Sequence, residues 1–446
     1  MFEKYKKLLT QYVAFKSIST DEAYKPEMLK TANWLMELLG SFGFKTKLLK
    51  GKFCNPIVFA EYVVNSKFET VLIYGHYDVQ PAEKVDGWGS DPFKLVEIGN
   101  QKSKFKNKFI ARGVVDNKGQ NLIHIVAIGE LIKQGKLKYN VKFMIEGNEE
   151  TANPDIPQIV TKNKKLLQSD YIMISDGEIH GTSPTIEASL RGGFSMTVTY
   201  ITGKTNLHSG LFGGAIPNAA HELTKLVASL YDKNNRVVIP GFYDGVINVD
   251  SLTKNIHKKL HGNGKHITKL AGVQVLCTEK GCDFYTQTGL RPTIQATGIK
   301  TGYIGDGYAN IVPAMAEARL NVRVVSPQNP AKVFELIKKY IKIHAPKHVS
   351  VSITHTEFNQ PILVDINNPK VKEVRGLLKK VYKKEPLVKY VGGSIPIVAD
   401  FKKLLGVETL LVSLGNDDCN MHGIDENFSV DLIKKGLDFS TQFFSK

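Results

Sequence analysis

A histidine and an aspartate stand two positions apart directly after an apolar stretch, in the string LIYGHYDVQ at residues 72–80. His76 and Asp78 follow Gly75, and residues two apart on an extended chain point to the same side. The pair could therefore face one site together. The plainer alternative is a polar strand end that enters a loop, because a short motif is a hypothesis until its context supports it.

Acidic residues and histidines also follow the other apolar segments of the chain. After ARGVV, VKFMIEG, DYIMIS and TLLVSLG come, in order, Asp116, the pair Glu149 and Glu150, Asp176 and His422. Open α/β sheets bind their ligands outside the carboxyl ends of the strands, so these side chains would meet at one edge. So many carboxylates would repel one another and would be costly to desolvate, and divalent cations resolve both problems. Two metal ions that share a bridging carboxylate use His, Asp and Glu in these proportions.

Each of these residues has an ordinary structural alternative. An aspartate after a strand often caps the next helix, as Asp116 could before NKGQ, and the glutamate pair could be solvated surface. His257 and His261 in HKKLH could share a helix face like zinc ligands, but they lack the glutamate of the H-E-x-x-H motif, and we interpret them as surface residues. Every predicted strand end carries a residue type that binds metals, and this joint pattern favours a dimetal site over separate structural roles.

The elements that must position these residues alternate between strands and helices. Apolar strand candidates lie at 56–64, 71–75, 139–146 and 170–175, and LIHIVAIGELI between the second and third is long enough for a buried helix. This alternation predicts an α/β fold with a mixed, largely parallel sheet and helices on both faces.

The pattern changes near Ser189. FSMTVTYIT, EARLNVRVVS and HVSVSITHT alternate apolar and polar residues, and two helical stretches separate them. They predict an inserted α+β domain with an antiparallel sheet that has one wetted face. We therefore predict a catalytic dimetal domain formed by residues 1–188 and 361–446, and an insert formed by residues 189–360.

Composition limits the class of protein. A chain of 446 residues exceeds what one hydrophobic core usually serves, and its 42% hydrophobic and 23% charged residues are ordinary for a globular enzyme. We expect a cytoplasmic protein without a membrane partner, since no apolar run approaches the roughly 20 residues that cross a bilayer and the amino terminus lacks the pattern of a signal peptide. The net charge of +16 comes mainly from scattered lysines rather than arginines, so we expect no nucleic-acid partner.

With these motifs in view, the sequence resembles the dizinc aminoacylase–carnosinase metallopeptidases, and specifically the branch of carnosinases and cytosolic non-specific dipeptidases. The strings that carry the resemblance are GHYDVQPAEKVDGW, ARGVVDNKG, IEGNEE, ISD, LHSGLFGG, IPGFYD, NVRVVSPQNP, GGSIP and HGIDE. They occur in the family's order from residue 74 to residue 426, so the resemblance covers nearly the whole chain.

The resemblance implies two divalent metal ions per subunit, with zinc as the expected metal and manganese or cobalt as alternatives. Its metal ligands would be His76 and Asp176 for one ion, Glu150 and His422 for the other, and Asp116 between them. Asp78 would orient the ring of His76. Glu149 would be the general base that takes a proton from the water held between the metals. A peptide bond next to Asp116 would be cis.

The resemblance also implies substrate contacts from the insert, which would act as a lid and dimerisation domain. His208 in LHSGLFGG would reach the active site of the partner subunit of a homodimer and stabilise the tetrahedral oxyanion. Arg323 would pair with the terminal carboxylate of a small peptide, and Gly393 and Ser394 would form the loop beside it. Asn310 in YANIVP departs from the dipeptidase branch and is nearer to the deacylase relatives, so it bears on substrate specificity.

The sequence thus predicts a metal-dependent dipeptidase that hydrolyses dipeptides or short peptides with a dimetal-bridged water. An N-acyl amino-acid deacylase, of the acetylornithine deacetylase or succinyl-diaminopimelate desuccinylase type, is the alternative with the same chemistry. A non-catalytic homologue that binds peptides or nucleic acid is the alternative from another class, and the intact set of ligands argues against it.

Overall fold

A computed structural model describes residues 1–99, 107–249, 251–260, 264–393 and 395–446 of the chain. The chain divides into two compact units. The first unit comprises Met1–Ala188, Val364–Val388 and Ile397–Lys446, and the second comprises Ser189–Leu363 and Lys389–Pro396. Across the described part of the chain, no helix combines the length and the apolar character that crossing a membrane requires.

The strands are numbered along the chain. They are β1 (Lys45–Leu49), β2 (Ile57–Tyr62), β3 (Thr70–His76), β4 (Val96–Ile98), β5 (Lys108–Ile110), β6 (Asn140–Glu146), β7 (Tyr171–Ile174), β8 (Thr185–Leu190), β9 (Gly192–Ile201), β10 (Leu207–His208), β11 (Thr293–Thr301), β12 (Ile311–Val312), β13 (Met315–Val324), β14 (Ser350–His355), β15 (Ile362–Leu363), β16 (Leu387–Tyr390), β17 (Glu408–Ser413) and β18 (Asn427–Ser429).

The helices are numbered in the same way. They are α1 (Phe2–Val13), α2 (Lys25–Ser41), α3 (Lys118–Lys133), α4 (Ile156–Lys162), α5 (Lys164–Leu167), α6 (Ser209–Phe212), α7 (Ala219–Ser229), α8 (Ser251–Lys259), α9 (Lys265–Ala271), α10 (Phe284–Leu290), α11 (Pro330–His344), α12 (Pro369–Tyr382), α13 (Pro396–Asp400) and α14 (Val430–Phe444).

The first unit is built on a mixed sheet with the strand order β1-β2-β6-β3-β7-β17-β8. The four central strands β6, β3, β7 and β17 are parallel to one another, whereas β1, β2 and β8 join antiparallel. The central strands are mostly apolar, and every residue of β6 is buried, as in a sheet covered on both faces. The structure confirms the predicted mixed α/β fold with a largely parallel sheet.

Helix α3 begins directly after the Asp116 segment and is buried on almost every side. An α-helix that is apolar all round belongs in a core, and α3 packs against α1 and α14. The carboxyl ends of the central strands and the amino end of this buried helix are thus fixed by the core of the first unit.

The second unit contains a four-stranded antiparallel sheet in the order β11-β13-β9-β14. Alternate residues of β13 are buried, and they form a core with the apolar sides of α7 and α11. The predicted strands FSMTVTYIT, EARLNVRVVS and HVSVSITHT are β9, β13 and β14. A short ribbon of β10 and β12 pairs Leu207 with Val312 and His208 with Ile311.

The segment Lys389–Pro396 belongs to the second unit, although the sequence interpretation grouped it with the first domain. Its main chain is bonded to residues at the start of that unit: Val391 N–H donates to Ser189 O at 3.3 Å, and Arg191 N–H donates to Gly393 O at 3.1 Å. These bonds join positions about 200 residues apart along the chain, which a local pattern does not reveal.

Candidate metal centre

The carboxyl ends of four neighbouring parallel strands carry the predicted ligands. β3 ends at His76, β6 leads through a short loop to Glu149 and Glu150, β7 is followed by Asp176, and β17 leads into the loop with His422. Asp116 lies just before α3. Because these strands are parallel and adjacent, their carboxyl ends meet at one edge of the sheet.

The ligand atoms form two groups that share Asp116. One group is His76, Asp116 and Asp176, the other is Asp116, Glu150 and His422, and within each group the atoms lie within 4.8 Å of one another. His76 Nε2 is 3.1 Å from Asp116 Oδ1, whereas His422 Nε2 is 2.8 Å from Asp116 Oδ2. The two oxygens of one carboxylate therefore face two different histidines, as a bridging ligand requires.

Two observations show that these residues fit divalent cations. His76 Nε2 is buried and makes no hydrogen bond in the described part of the chain, although carboxylate oxygens of Asp116 and Asp176 lie 3.1 and 3.7 Å away. A buried ring nitrogen flanked by carboxylates without a hydrogen bond is suited to a metal. The donor set of imidazole nitrogens and carboxylate oxygens suits zinc, manganese and cobalt.

The electrostatics of the cluster also favour added positive charge. Burial opposes protonation of His76, but the carboxylates of Asp176, Asp116 and Asp78 outweigh it and raise the pKa of His76 well above its ordinary value. Contacts with Asp116 and Glu150 raise the pKa of His422 to about 10. Both histidines thus attract protons in the absence of metal, because the surrounding carboxylates need a compensating charge.

Asp78 connects three segments of the site. His76 Nδ1 lies 3.0 Å from the main-chain oxygen of Asp78 and 3.4 Å from its carboxylate. The same carboxylate accepts the main-chain N–H groups of Glu149 and Glu150, each at 3.2 Å, and the hydroxyl of Ser19 at 2.7 Å. It therefore fixes the glutamate pair as well as the imidazole.

Glu149 belongs to neither ligand group, although its main chain is held beside them. Burial, and then the negative charges of Asp176, Asp116 and Asp78, raise the pKa of its carboxyl group well above the ordinary value. A carboxylate with a raised affinity for protons is suited to accept and later release one.

Sequence reasoning assigned no role to two amides that touch the ligands. Gln80 Nε2 donates to Glu150 Oε2 at 2.8 Å, and Asn117 Nδ2 donates to Asp176 Oδ1 at 2.7 Å. Both amides hold a ligand carboxylate in place. The signal was present, since Gln80 lies in GHYDVQ and Asn117 in DNKG. The peptide bond between Asp116 and Asn117 is cis, as the resemblance implied.

Gly75 explains part of the opening motif. A Cβ atom at this position would lie 1.9 Å from Asn121 Nδ2 and 2.5 Å from Asn117 Oδ1. Asn121 in turn donates to Asn117 Oδ1 at 2.6 Å. The glycine therefore lets the amino end of α3 approach the strand that carries His76.

Glu426 is a further residue that sequence reasoning quoted, in HGIDE, but gave no role. Its Oε1 accepts the N–H groups of Val115 and Asp116 at 2.9 and 3.1 Å. Its Oε2 accepts the N–H of Gly113 at 2.9 Å and a bond from Arg112 Nη1 at 2.8 Å. Arg112 Nη2 also donates to His422 O at 3.2 Å. The loops that carry Asp116 and His422 are thus joined by one buried ion pair.

The predicted substrate residues lie in the second unit. His208 and Asn310 are exposed neighbours, since Ser209 N–H donates to Asn310 O at 2.9 Å. His208 Nδ1 accepts the N–H of Gly210 at 3.0 Å, so Nε2 is the nitrogen available to a substrate. Arg323 is partly buried on β13, Gly393 accepts a bond from Arg191, and Ser394 lies outside the described residues.

The interpretation of His257 as a surface residue is wrong. Its side chain is 1% exposed, and Nδ1 lies 3.1 Å from both Asp283 Oδ1 and Thr286 Oγ1. Residues at and near the start of α10 bury it, and the local string HKKLH gives no information about these distant neighbours. His261 lies outside the described residues. All four cysteines are free thiols.

A largely parallel α/β sheet that brings two ligand groups with a common carboxylate to one edge fits the class of two-metal hydrolases. The chain belongs to peptidase family M20/M25/M40, whose model matches residues 72–446. It is accordingly a metallopeptidase by class, and a hydrolase.

Similar proteins with known names include several dipeptidases. The chain is 28% identical to the Cys-Gly metallodipeptidase of Candida albicans over 96% of this chain and 91% of the relative. It is 32% identical to the cysteinylglycine-S-conjugate dipeptidase of Corynebacterium striatum over 80% and 76%, and 27% identical to human Beta-Ala-His dipeptidase over 84% and 74%.

Solved structures show the same fold. An M20 family metallo-carboxypeptidase from Sulfolobus solfataricus is 30% identical with a TM-score of 0.85, covering 99% of this chain and 98% of that one. Human carnosine dipeptidase 1 is 24% identical with a TM-score of 0.83, covering 99% and 95%. A more distant relative, from Bacillus subtilis, is described as a dinuclear metal-binding peptidase, with a TM-score of 0.61, 10% identity and coverage of 100% and 97%.

Proposed function

We propose that this protein hydrolyses dipeptides, with two divalent cations held by the groups His76–Asp116–Asp176 and Asp116–Glu150–His422. The observation that carries the proposal is that Asp116 offers one oxygen to each group, 3.1 Å from His76 and 2.8 Å from His422. The names of the relatives support the substrate class, since the similar proteins from Candida albicans, Corynebacterium striatum and human are all called dipeptidases.

The residues of the chain would divide the chemistry among them. Bound cations would polarise the scissile carbonyl and acidify a water molecule. Glu149 would take the proton from the attacking water and deliver it to the leaving amine. Asp78, Gln80 and Asn117 would hold His76, Glu150 and Asp176 in the orientation that binding demands.

We assign substrate recognition to the second unit. Arg323 would bind the terminal carboxylate as a bidentate partner, beside the loop of Gly393 and Ser394. His208 would donate from Nε2 to the oxyanion, with Asn310 beside it. We propose zinc as the metal, with manganese and cobalt as the alternatives that the same donor set allows.

We also propose that the protein is a homodimer formed through the second unit. Large apolar side chains are exposed on α6 and at the ends of β9, β11 and β13, among them Leu211, Ile304 and Met315 at 77%, 75% and 56% exposure. Exposed apolar groups gathered in one region mark protein interfaces. In such a dimer the partner subunit's His208 would complete the site. The cytoplasmic location stays a prediction.

The decisive test is a substrate panel on chelated and metal-reconstituted enzyme. Dipeptides should be cleaved by the reconstituted enzyme, and chelation should abolish cleavage until zinc, manganese or cobalt is returned. N-acetyl and N-succinyl amino acids serve as matched substrates for the deacylase alternative. If only these acyl compounds were cleaved, or if chelated enzyme kept its rate, the proposal would be wrong.

A second candidate activity is carboxypeptidase action on longer peptides. The structure from Sulfolobus solfataricus that is 30% identical over nearly the whole chain is a metallo-carboxypeptidase. Both activities need recognition of a free terminal carboxylate, and they differ in the space allowed on the amino side of the bond. Comparing kcat/KM for a dipeptide, tripeptide and pentapeptide with the same last two residues separates them, since a dipeptidase loses rate at the first added residue.

A further inference from the structure

Arg191 is the first residue after β8, and it bonds to two consecutive glycines of the segment Lys389–Pro396. Its main-chain N–H donates to Gly393 O at 3.1 Å, and its Nε donates to Gly392 O at 3.1 Å. Nη1 of the same guanidinium lies 3.5 Å from Arg291 O. All these residues belong to the second unit. Arg191 thus holds the glycine segment through its backbone and its side chain together.

Gly392 is matched to this guanidinium. A Cβ atom at Gly392 would lie 2.6 Å from Thr288 O and 2.9 Å from Arg191 Nη2. The glycine therefore allows its main chain to lie against the guanidinium, and a larger residue would push it away. The contact is a close fit between two specific residues rather than a chance surface approach.

Arg191 also lies near Arg323, the proposed carboxylate-binding residue. Gly193, two residues further on, is paired with Arg323 across β9 and β13. Burial and then the charge of Arg323 lower the pKa of Arg191 to about 10. In the described part of the chain, Arg191 donates to carbonyl oxygens and makes no ion pair with a carboxylate. The positive charge of Arg191 therefore acts on the same part of the second unit as the charge of Arg323.

We propose that Arg191 is a positioning residue for the substrate carboxylate: it holds the Gly392–Gly393 main chain and adds a second positive charge beside Arg323. Together they make the enzyme select peptides that end in a free carboxylate. This inference rests on the proposed function, in which Arg323 and the Gly393 loop receive that carboxylate. Arg191 acts by holding the glycine main chain and by its positive electrostatic potential, whereas Arg323 makes the direct contact with the substrate.

The test compares a dipeptide with its C-terminal amide on the metal-loaded full chain. The wild-type enzyme should prefer the free acid. Arg191→Lys keeps the charge but loses the planar guanidinium with its several fixed donors. KM for the acid should therefore rise about tenfold, with kcat within about twofold of the wild-type value. Arg191→Met removes the charge as well and should lower the preference for acid over amide further. With both variants, kcat/KM for the amide should fall by a clearly smaller factor than kcat/KM for the acid.

Arg319→Lys is the matched control, because Arg319 lies on the same strand as Arg323 but is exposed. Should both Arg191 variants lose the same factor on acid and amide, Arg191 has a structural role only and the inference is overturned. Arg191→Lys decides the question if the methionine variant does not fold, as judged by its thermal midpoint. Arg323→Met tests the proposed role of Arg323 separately. If the Arg323→Met enzyme still prefers the acid, the proposed role of Arg323 is contradicted. If Arg323→Met loses the preference while both Arg191 variants keep it, only the inference about Arg191 is contradicted.

Discussion

His76 and Asp116 in the first unit, and His208 and Asn310 in the second, are held in opposite ways. In the first unit His76 and Asp116 are 0% and 6% exposed and each lies among several charged or hydrogen-bonding neighbours. In the second unit His208 and Asn310 are exposed, and the contacts that hold them are main-chain bonds and one ring nitrogen. The geometry for binding cations is therefore built by the chain itself. The proposed oxyanion contacts of His208 and Asn310 await a substrate or a second subunit to fix them.

The largest effect should come from the carboxylate beside the cluster. Glu149→Gln removes the proton acceptor but keeps the size of the side chain, so kcat should fall by about 10²–10⁴ while the metal content stays unchanged. Metal analysis and steady-state kinetics measure both. Glu37→Gln, on the exposed side of α2, is the control. A Glu149→Gln variant within a few fold of wild type would remove Glu149 as general base.

The second unit provides the next effect. His208→Ala should lower kcat by about 10²–10³, the cost of one oxyanion donor. If the partner subunit's His208 completes each site, a purified heterodimer of His208→Ala and Glu149→Gln chains has one intact site and recovers about half of wild-type activity.

Two variants that are both in the first unit give the control for this experiment. A heterodimer of Glu149→Gln and Asp116→Asn chains has no intact site and should stay inactive. If the His208→Ala heterodimer were equally inactive, His208 would act within its own subunit. A monomeric protein by light scattering would contradict the dimer itself.

A smaller effect tests how the first unit orients its ligands. Gln80→Ala removes the bond to Glu150, so metal affinity should fall by about 10–100-fold while the metal-saturated enzyme keeps most of its kcat. Titration with a competing chelator measures the affinity. Gln134→Ala, at the exposed end of α3, is the control. Unchanged affinity in Gln80→Ala would mean that the bond does not orient the ligand.

The smallest effect concerns stability, and it contrasts two histidines. His124 is buried between Ser440 and Ser175, and burial lowers its pKa to about 4. Below its unfolded pKa of about 6.5 the unfolded chain binds a proton that the folded chain refuses, so stability falls as the pH drops. Between pH 7 and pH 5 the loss is about 2 kcal/mol. His124→Gln should reduce this loss, and the exposed His344→Gln should not.

Thermal midpoints at the two pH values measure the difference. An acid shift in the midpoint that is identical in wild type and His124→Gln would show that another group causes it. Metal should be kept saturating in each sample, because cation release at low pH would otherwise add its own term.

Much of the first unit could be predicted because its signals are local. Buried parallel strands appear in the sequence as apolar runs, and the residues that follow these runs lie at one edge of the sheet. His76, Asp176 and His422 could therefore be predicted to share a site. The alternation in β9 and β13 identified the antiparallel sheet in the same way. The features that could not be predicted from the sequence depend on partners far along the chain. No periodicity connects the segments involved in three such features: the bond from Ser19 to Asp78, the burial of His257, and the bonds from Arg191 to Gly392 and Gly393.

The four bonds to the Glu426 carboxylate have a consequence for how the protein handles its cations. They tie the Asp116 loop to a segment some 310 positions later through bonds between protein groups. We therefore expect the loops that carry Asp116 and His422 to stay joined when the cations are removed, so that ions exchange without refolding of the site.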